Sequence, residues 1–154
     1  MTICTNKKTC FFGEVIENSM ILNSPGQMIA SVWDNLPRRF DGVILDSYIV
    51  MPNHIHGIFI LKEGLSLSRV VQAFKSVCTN EYIRGVHQQG WKEFDHALWQ
   101  MSFYDHVIRN EKDLFRIQEY IVNNPLQWAM DDENPNRKDA LNSGRTQGPT
   151  LQRT

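Results

Sequence analysis

Short apolar segments bounded by turn residues occupy much of the first sixty residues of the chain and predict strands. They are rich in isoleucine, valine, phenylalanine and tyrosine, which favour extended backbone. The predicted strands are Met1–Thr5, Phe11–Ile16, Ser19–Leu22, Val43–Met51 and Ile55–Leu61. Glu17-Asn18 and Pro52-Asn53 are turn signals between neighbouring strands. We therefore expect a hairpin at the first turn and a hairpin or bulge at the second.

Helical spacing of apolar residues appears between and after these strands. Ser24-Pro25 fits the start of a helix over Gly26–Asn35, because proline is favoured in the first helical turn. Further along, Ser66 or Ser68 can cap a helix that runs to about Arg84. The apolar stripe of that helix consists of Val70, Val71, Phe74, Val77 and Cys78. Such a stripe predicts an amphipathic helix packed on a sheet.

The last third of the chain predicts one more strand and one more helix. Leu98–Ile108 resembles a strand, and Asn110 with the acidic residues that follow it is typical of a helix start. The helix Glu111–Asn123 should end there because Pro125 disfavours helical backbone at Asn124. Strands and hairpins interspersed with helices predict an α+β domain, an antiparallel sheet with helices largely on one face.

Composition supports a single domain. The chain has 154 residues, of which 42% are hydrophobic, enough for one sizeable core but not for two. We assign residues 1–128 to this domain. Residues 129–154 are almost entirely polar, and from Asp131 onward they contain few apolar side chains. Such a segment cannot offset its ordering entropy by burial, so we expect a disordered tail.

Charge and cysteine content exclude only a few classes of protein function. With 16 basic and 17 acidic residues the formal net charge is −1, so any nucleic-acid site must come from local clustering. The three cysteines lack the paired spacing of a zinc site. No apolar stretch approaches the roughly 20 residues that span a bilayer. We expect a protein of the reducing cytoplasm with no membrane segment.

Two histidines one residue apart are the first candidate for chemistry. His54 and His56 stand at the start of a predicted strand, where side chains alternate between faces, so both point to the same side about 7 Å apart. That spacing allows both imidazoles to bind one divalent ion. The alternative is a pair of sheet histidines satisfied by hydrogen bonds, because such pairs also occur by chance.

Tyr120 and Asn124 are the second candidate. They are four residues apart near the end of the last predicted helix, about 40° from one another around its axis. If that helix crosses the strand of His54 and His56, a phenol and an amide oxygen meet two imidazoles. The structural alternatives are a tyrosine packed at the core edge and an asparagine that caps the helix before Pro125.

These segments together resemble the REP-associated tyrosine transposases, a branch of the single-tyrosine HUH transposases of insertion sequences. HUH denotes two histidines that flank one hydrophobic residue. The matching segments are Tyr48–Gly57, Phe74-Lys75-Ser76, Leu98–Arg109 and Tyr120–Pro125. The resemblance covers roughly residues 2–128. It implies a ferredoxin-like antiparallel sheet, with His54, His56 and Asn124 as metal ligands and Tyr120 as the nucleophile.

The implied reaction is cleavage and rejoining of single-stranded DNA. A divalent ion would offset negative charge on the phosphate. The ion would be Mg²⁺ or Mn²⁺, because imidazole and amide ligands suit Mn²⁺ and permit Mg²⁺. Attack by Tyr120 would leave a 5′-phosphotyrosine link and a free 3′-hydroxyl that can reverse the reaction on another end. The expected substrate lies near a hairpin or inverted repeat. Small transposases of this kind act as monomers or as homodimers.

Several other residues are weaker candidates for DNA contact or catalysis. The basic residues that could bind phosphates are Lys75, Arg84, Arg109, Lys112 and Arg116. Each of them is more commonly a solvated surface charge. Tyr104 is a rival nucleophile, but it lacks a ligand partner four residues on. Trp99 and Phe103 could stack on bases, although aromatic residues on a strand are usually core.

The chain departs from the family pattern at two points. Family members usually begin with a further segment that supplies the front of the first strand, whereas this sequence opens directly at Met1–Thr5, so we expect a shortened strand. Met101 stands where arginine is common. These departures leave a catalytically inactive DNA-binding remnant as the main alternative. A small HxH metallohydrolase in which Tyr120 is only structural is a third reading.

Overall fold

An antiparallel sheet forms the centre of the computed structural model, which describes residues 1–137 and the backbone of residues 152–153. The strands are β1 (Thr2–Cys4), β2 (Gly13–Ile16), β3 (Ser19–Leu22), β4 (Val43–Met51), β5 (His54–Leu61), β6 (Tyr104–Asp105) and β7 (Gln152–Arg153). Within this part of the chain, five strands join in the order β4-β5-β1-β6-β7, and β2 pairs with β3 in a separate hairpin. Both predicted turns between strands are confirmed.

Helices connect these strands. They are α1 (Ser24–Asp34), α2 (Leu36–Arg39), α3 (Leu67–Gln89), α4 (Glu111–Val122) and α5 (Asn124–Gln127). Asn23, Ser66 and Asn110 cap α1, α3 and α4, each accepting a hydrogen bond from a backbone amide three residues later. None of the helices in the described residues is long and apolar enough to cross a membrane.

Alternation along β5 directs its side chains to two different layers. Ile55 packs in the main core with α1 and α3, whereas Ile58 packs with Ile117 and Ile121 of α4. His54 and His56 have the same parity as Ile58 and therefore face α4. The predicted α+β class is confirmed: α1 and α3 cover one face of the sheet, and α4 lies on the other face, above the histidines.

β1 is short but central. Thr2, Ile3 and Cys4 pair with His56, Ile55 and His54 of β5, and Thr2 also pairs with Tyr104 of β6. The amide of Gly57 donates to the Met1 carbonyl at 3.0 Å, which extends the ladder by one bond. β1 therefore fixes the backbone directly beneath both histidines.

The predicted strand Leu98–Ile108 is wrong over most of its length. Only Tyr104–Asp105 forms a strand, together with one bridge between Thr5 and Trp99. The Lys75 ammonium donates to the carbonyls of Gln100 and Ser102, so these groups bond a side chain in place of a strand partner. Leu98, Trp99 and Phe103 are buried core residues, as expected for the two aromatic ones.

Two other boundaries differ from prediction. α3 continues past Arg84 to Gln89 and ends where Gly90 adopts a left-handed conformation (φ 71°), which glycine allows without strain. The prediction that Pro125 keeps Asn124 out of helical structure is wrong. Instead Asn124 is the first residue of α5, with Pro125 in its first turn, where a missing amide proton costs nothing.

Residues 129–137 do not fit the expected disordered tail. Residues 128–130 form a 3₁₀ turn, and the following residues fold back over the start of the chain. The Asn53 amide donates to the Glu133 carbonyl at 2.6 Å, and the Lys8 ammonium donates to the Asp132 carbonyl at 2.7 Å. Polar partners, not apolar burial, hold this strap, which we define as residues 131–137. The other residues of the predicted tail lie outside the described residues, apart from Gln152–Arg153 in β7.

Gly57 allows a close approach of the Trp33 side chain in the core, and this contact has a testable consequence. A Cβ at this position would lie 2.2 Å from Cη2 of Trp33, whose ring is fully buried and stacked on Tyr48. We expect Gly57→Ala to lower the free energy of unfolding by about 1–3 kcal/mol, because the indole must shift within a packed core. Urea unfolding monitored by tryptophan fluorescence measures this loss.

A double mutant tests the cause. Phenylalanine at position 33 has a single, shorter ring that lacks the outer indole atoms Cη2, Cζ2 and Cζ3, which the new Cβ would meet. The destabilisation by Gly57→Ala should therefore be smaller in a Trp33→Phe background than in the natural chain. Equal destabilisation in both backgrounds would contradict this account of Gly57.

Candidate active site

His54 and His56 converge on one point below α4. Their Nε2 atoms are 3.0 Å apart and their ring centroids 4.6 Å, with the rings steeply inclined to one another. Both side chains are buried. The predicted common face is thus confirmed, and the geometry adds that both Nε2 atoms are directed to the same place.

Each imidazole is held from behind through its Nδ1 atom. His54 Nδ1 lies 2.8 Å from Asn53 Oδ1, and His56 Nδ1 lies 2.7 Å from Thr2 Oγ1. Hydrogen bonds at one ring nitrogen fix the orientation of the other, which is the usual arrangement behind metal-ligating histidines. Both histidines therefore present Nε2 outward in a fixed direction.

Burial keeps both rings neutral. It lowers the pKa of His54 to about 4, although the carboxylate of Asp131, 4.0 Å from His54 Nε2, acts in the opposite direction. The pKa of His56 lies well below its usual value because of burial, with smaller contributions from positive charge on His54 and on the Met1 amine. Neutral imidazoles are the form that binds a metal ion.

α4 brings Tyr120 to the histidines. Ile117 and Ile121 press the helix onto Ile58, and this packing places the Tyr120 ring edge-on to His56 with centroids 5.4 Å apart. Burial raises the pKa of Tyr120, and the negative charges of Asp131, Asp132 and Glu133 add to the effect. The phenol is therefore protonated at neutral pH.

The buried amide oxygen of Asn124 indicates whether a metal ion suits the position beside His54 and His56. Its side chain is 1% exposed, and its Oδ1 atom has no hydrogen-bond partner. A buried amide oxygen without a partner costs free energy that a cation would recover. Within the described residues, no three or more His, Cys, Asp or Glu side chains are grouped to hold a metal ion. A site with three protein ligands here thus requires the Asn124 amide. An amide oxygen and two imidazole nitrogens can bind the same divalent ion.

Sequence reasoning missed four contributors to the site. They are Thr2 and Asn53 behind the histidines, Asp131 beside His54, and Trp128, whose ring centroid is 6.1 Å from that of His54. Asn53 could have been noticed, because it directly precedes the histidine pair in a turn. Asp131 gave no signal, since it lies in a segment that composition alone marks as unstructured.

The basic candidates separate into two groups. Arg109, Lys112 and Arg116 are exposed residues at or just before α4, on the face of the sheet that carries Tyr120. Lys75 and Arg84 lie on α3, on the opposite face. Lys75 is engaged with two carbonyls, and Arg84 is paired with Glu81, as Arg116 of α4 is paired with Asp113. The DNA contacts of all five residues remain predictions, and the α4 group is favoured because it lies on the same face as Tyr120.

Tyr104, the rival nucleophile, lies on β6 opposite Thr2 and is half-buried. The Tyr120 ring lies against His56, and the Asn124 side chain is close enough to His54 and Tyr120 to influence the pKa of both. Tyr120 is the tyrosine whose ring contacts a histidine of this pair. With one phenol beside two imidazoles and a free amide oxygen, the arrangement suits nucleophilic attack next to a bound cation.

A family model described as "Transposase IS200 like" matches residues 2–124 of the chain. The chain belongs to the IS200-like transposase family. The matched residues include all of β1 to α4 and end at Asn124, so they contain the four residues of the site.

Individual relatives agree with this assignment. The IS200-like chain is 35% identical over 148 residues to a protein of Haemophilus influenzae described as uncharacterized. The match covers 85% of this chain and 81% of the relative. It is 28% identical over 128 residues to the "REP-associated tyrosine transposase" of Escherichia coli K12, covering 77% of this chain and 67% of that protein.

A solved structure supports the fold. The structure titled "Structure of the REP associates tyrosine transposase bound to a REP hairpin" matches with a TM-score of 0.58 and 24% sequence identity. The match covers 82% of this chain and 64% of the other, so the IS200-like chain spans somewhat less than two thirds of that protein. The fold of the two proteins is shared.

Proposed function

We propose that this transposase cleaves and rejoins single-stranded DNA through a 5′-phosphotyrosine intermediate on Tyr120, with a divalent metal ion at His54, His56 and Asn124. The observation that carries the proposal is the convergence of two Nε2 atoms 3.0 Å apart, an unpartnered amide oxygen and a phenol in contact with His56. These are the groups that a metal-assisted phosphoryl transfer requires.

The protein's contribution to metal binding is a set of three neutral ligands. Neutral ligands leave the full positive charge of Mg²⁺ or Mn²⁺ to act on substrate oxygens, and water or phosphate completes the coordination shell. Bound there, the ion would offset negative charge on the scissile phosphate. The buried, preorganised imidazoles would hold it in one position relative to Tyr120.

In the proposed reaction the Tyr120 oxygen attacks the phosphorus of the scissile phosphodiester. A bond forms between this oxygen and phosphorus, and the bond between phosphorus and the 3′ oxygen breaks. The phenol loses its proton and the departing 3′ oxygen gains one, so the strand ends as a free 3′-hydroxyl and a 5′-phosphotyrosine. Because the new ester resembles the old one in energy, a 3′-hydroxyl from another end can reverse the step and join strands.

The α4 cations support DNA as the substrate. Lys112, Arg116 and Tyr120 follow one another at intervals of four residues, so they share one side of the helix within about 80°. A phosphate backbone lying along this side would reach the phenol after contact with two positive charges. The relative bound to a REP hairpin suggests a hairpin-bearing strand as the substrate class.

One observation favours the alternative of an inactive DNA-binding protein. Asp131, Asp132 and Glu133 put negative charge close to Tyr120, where it raises the pKa of the phenol and would repel an approaching phosphate. A protein that binds the hairpin but completes no cleavage would fit this environment.

A covalent-adduct experiment decides between these functions. The protein is incubated with a labelled hairpin-bearing single strand and Mn²⁺ or Mg²⁺, and products are separated under denaturing conditions. We expect a protein–DNA adduct that resists denaturation, is lost with a chelator, and maps by mass spectrometry to the peptide containing Tyr120. Binding of the strand without any adduct would support the inactive alternative.

A further inference from the structure

The side chain of Asn53 is fully buried in the turn between β4 and β5, and both of its polar atoms are hydrogen-bonded. Its Nδ2 atom donates to the carbonyl of Lys8 at 3.0 Å and to the carbonyl of Glu133 at 2.6 Å. Its Oδ1 atom lies 2.8 Å from His54 Nδ1. The turn itself is held by the Thr5 amide, which donates to the Asn53 carbonyl at 2.9 Å.

These partners fix which way the Asn53 amide points. Carbonyl oxygens only accept hydrogen bonds, so the atom that faces Lys8 and Glu133 must be the amide nitrogen. Reversal of the amide would set its oxygen against two carbonyl oxygens and leave three acceptors facing one another without a proton. The oxygen of Asn53 is thereby committed to His54.

An amide oxygen can only accept, and therefore His54 Nδ1 must carry a hydrogen. A neutral imidazole has one N–H, so His54 Nε2 keeps its lone pair directed toward His56 and the proposed metal position. The orientation of one amide thus determines the tautomer of a candidate metal ligand. In the metal-free protein His56 Nε2 then donates across the 3.0 Å contact to His54 Nε2, and His56 Nδ1 accepts from the Thr2 hydroxyl. Because that hydroxyl can also accept, His56 can take the other tautomer when a metal ion binds.

We propose that Asn53 is a positioning residue that holds His54 in the Nδ1–H tautomer and keeps its Nε2 atom ready for metal binding. The tautomer follows from this structure alone, whereas its use in metal binding rests on the proposed function. The inference also gives the strap a role at the site. Its Glu133 carbonyl is one of the two acceptors that orient Asn53, so the strap and the turn at Lys8 act on His54 from outside the metal-ligand set.

Nitrogen NMR of the metal-free protein with ¹⁵N-labelled histidine tests the tautomer directly. Protonated and unprotonated ring nitrogens resonate in separate regions, and the His54 signals are identified by their loss in His54→Gln. We expect Nδ1 protonated and Nε2 unprotonated in the natural protein. Protonation of Nε2 in place of Nδ1 would overturn the proposal without recourse to any variant.

Asn53→Leu removes the acceptor while retaining the approximate volume of the side chain. We expect a shift of His54 toward the Nε2–H tautomer and a loss of Mn²⁺ affinity of about 10- to 100-fold, measured by calorimetry with the metal alone. The matched control is Asn23→Leu. Asn23 also donates to a backbone carbonyl, that of Phe11, and accepts from the Gly26 amide, but it lies at the start of α1 and makes no hydrogen bond to His54 or to the strap.

These experiments distinguish failure of the Asn53 proposal from failure of the proposed function. An unchanged His54 tautomer in Asn53→Leu, or an equal change in Asn23→Leu, would overturn the role of Asn53. An unchanged Mn²⁺ affinity despite a changed tautomer would overturn its role in metal binding. Conversely, a natural protein with the Nδ1–H tautomer that binds no Mn²⁺ would contradict the proposed metal site and leave the tautomer assignment supported.

Discussion

Tyr120→Phe is expected to abolish the covalent protein–DNA adduct and to reduce strand cleavage by at least about 10⁴-fold, because no other group can form the proposed ester. Phenylalanine retains the ring that packs edge-on to His56, so fold and metal binding should persist. The measurement is a gel assay of adduct and cleaved strand under single-turnover conditions. DNA affinity, measured by anisotropy, should change by less than about threefold.

Tyr104→Phe is the matched control for this substitution. Tyr104 is a half-buried tyrosine on β6, which β1 separates from the strand of the histidines, so its replacement should leave the adduct in place. Cleavage that survives Tyr120→Phe with water as the nucleophile would contradict the tyrosine mechanism. It would favour the metallohydrolase reading, in which the histidines act without a covalent intermediate.

Residues within one regular element were predictable because the signals are local. The period of a strand places His54 and His56 on one face, and the period of a helix places Tyr120 and Asn124 on one side of α4 and α5. Their meeting was not predictable from periodicity, since it requires α4 to pack on the face of the sheet opposite α1 and α3. The resemblance to transposases supplied that step.

The wrong predictions of secondary structure concern segments whose conformation depends on side chains many residues away. Leu98–Ile108 has the composition of a strand, but the Lys75 ammonium occupies carbonyls that a neighbouring strand would use. The strap has the composition of a disordered tail, but Asn53 and Lys8 bind its carbonyls. A side chain that bonds the backbone of a segment many residues away leaves no local pattern in that segment.

The same distant contacts determine the electrostatics of the site. The strap sets Asp131 4.0 Å from His54 Nε2 and brings two further acidic residues close enough to raise the pKa of Tyr120. Two buried neutral imidazoles, an unpartnered amide oxygen and nearby negative charge all favour a bound cation over an empty site. A divalent ion would therefore stabilise the folded protein as well as serve the reaction.

His54→Ala and His56→Ala should each lower the affinity for Mn²⁺ by at least about 100-fold and remove detectable cleavage, because loss of one of three protein ligands exceeds the usual cost of outer-shell changes. Calorimetry with Mn²⁺ and the adduct assay measure the two effects. In the natural protein, saturating Mn²⁺ should raise the melting temperature, and this rise should vanish in both variants.

The two variants should differ in stability without metal. His54→Ala leaves the buried Asn53 oxygen without its partner, which costs about 1–3 kcal/mol beyond the lost packing. Both variants lose the hydrogen bond between the two Nε2 atoms. The other group that His56→Ala leaves is the Thr2 hydroxyl, which can rotate toward another acceptor, so its cost should be smaller. His87→Ala, at an exposed position near the end of α3, is the control and should change neither metal affinity nor stability. Equal Mn²⁺ affinity in all three variants would place the metal elsewhere.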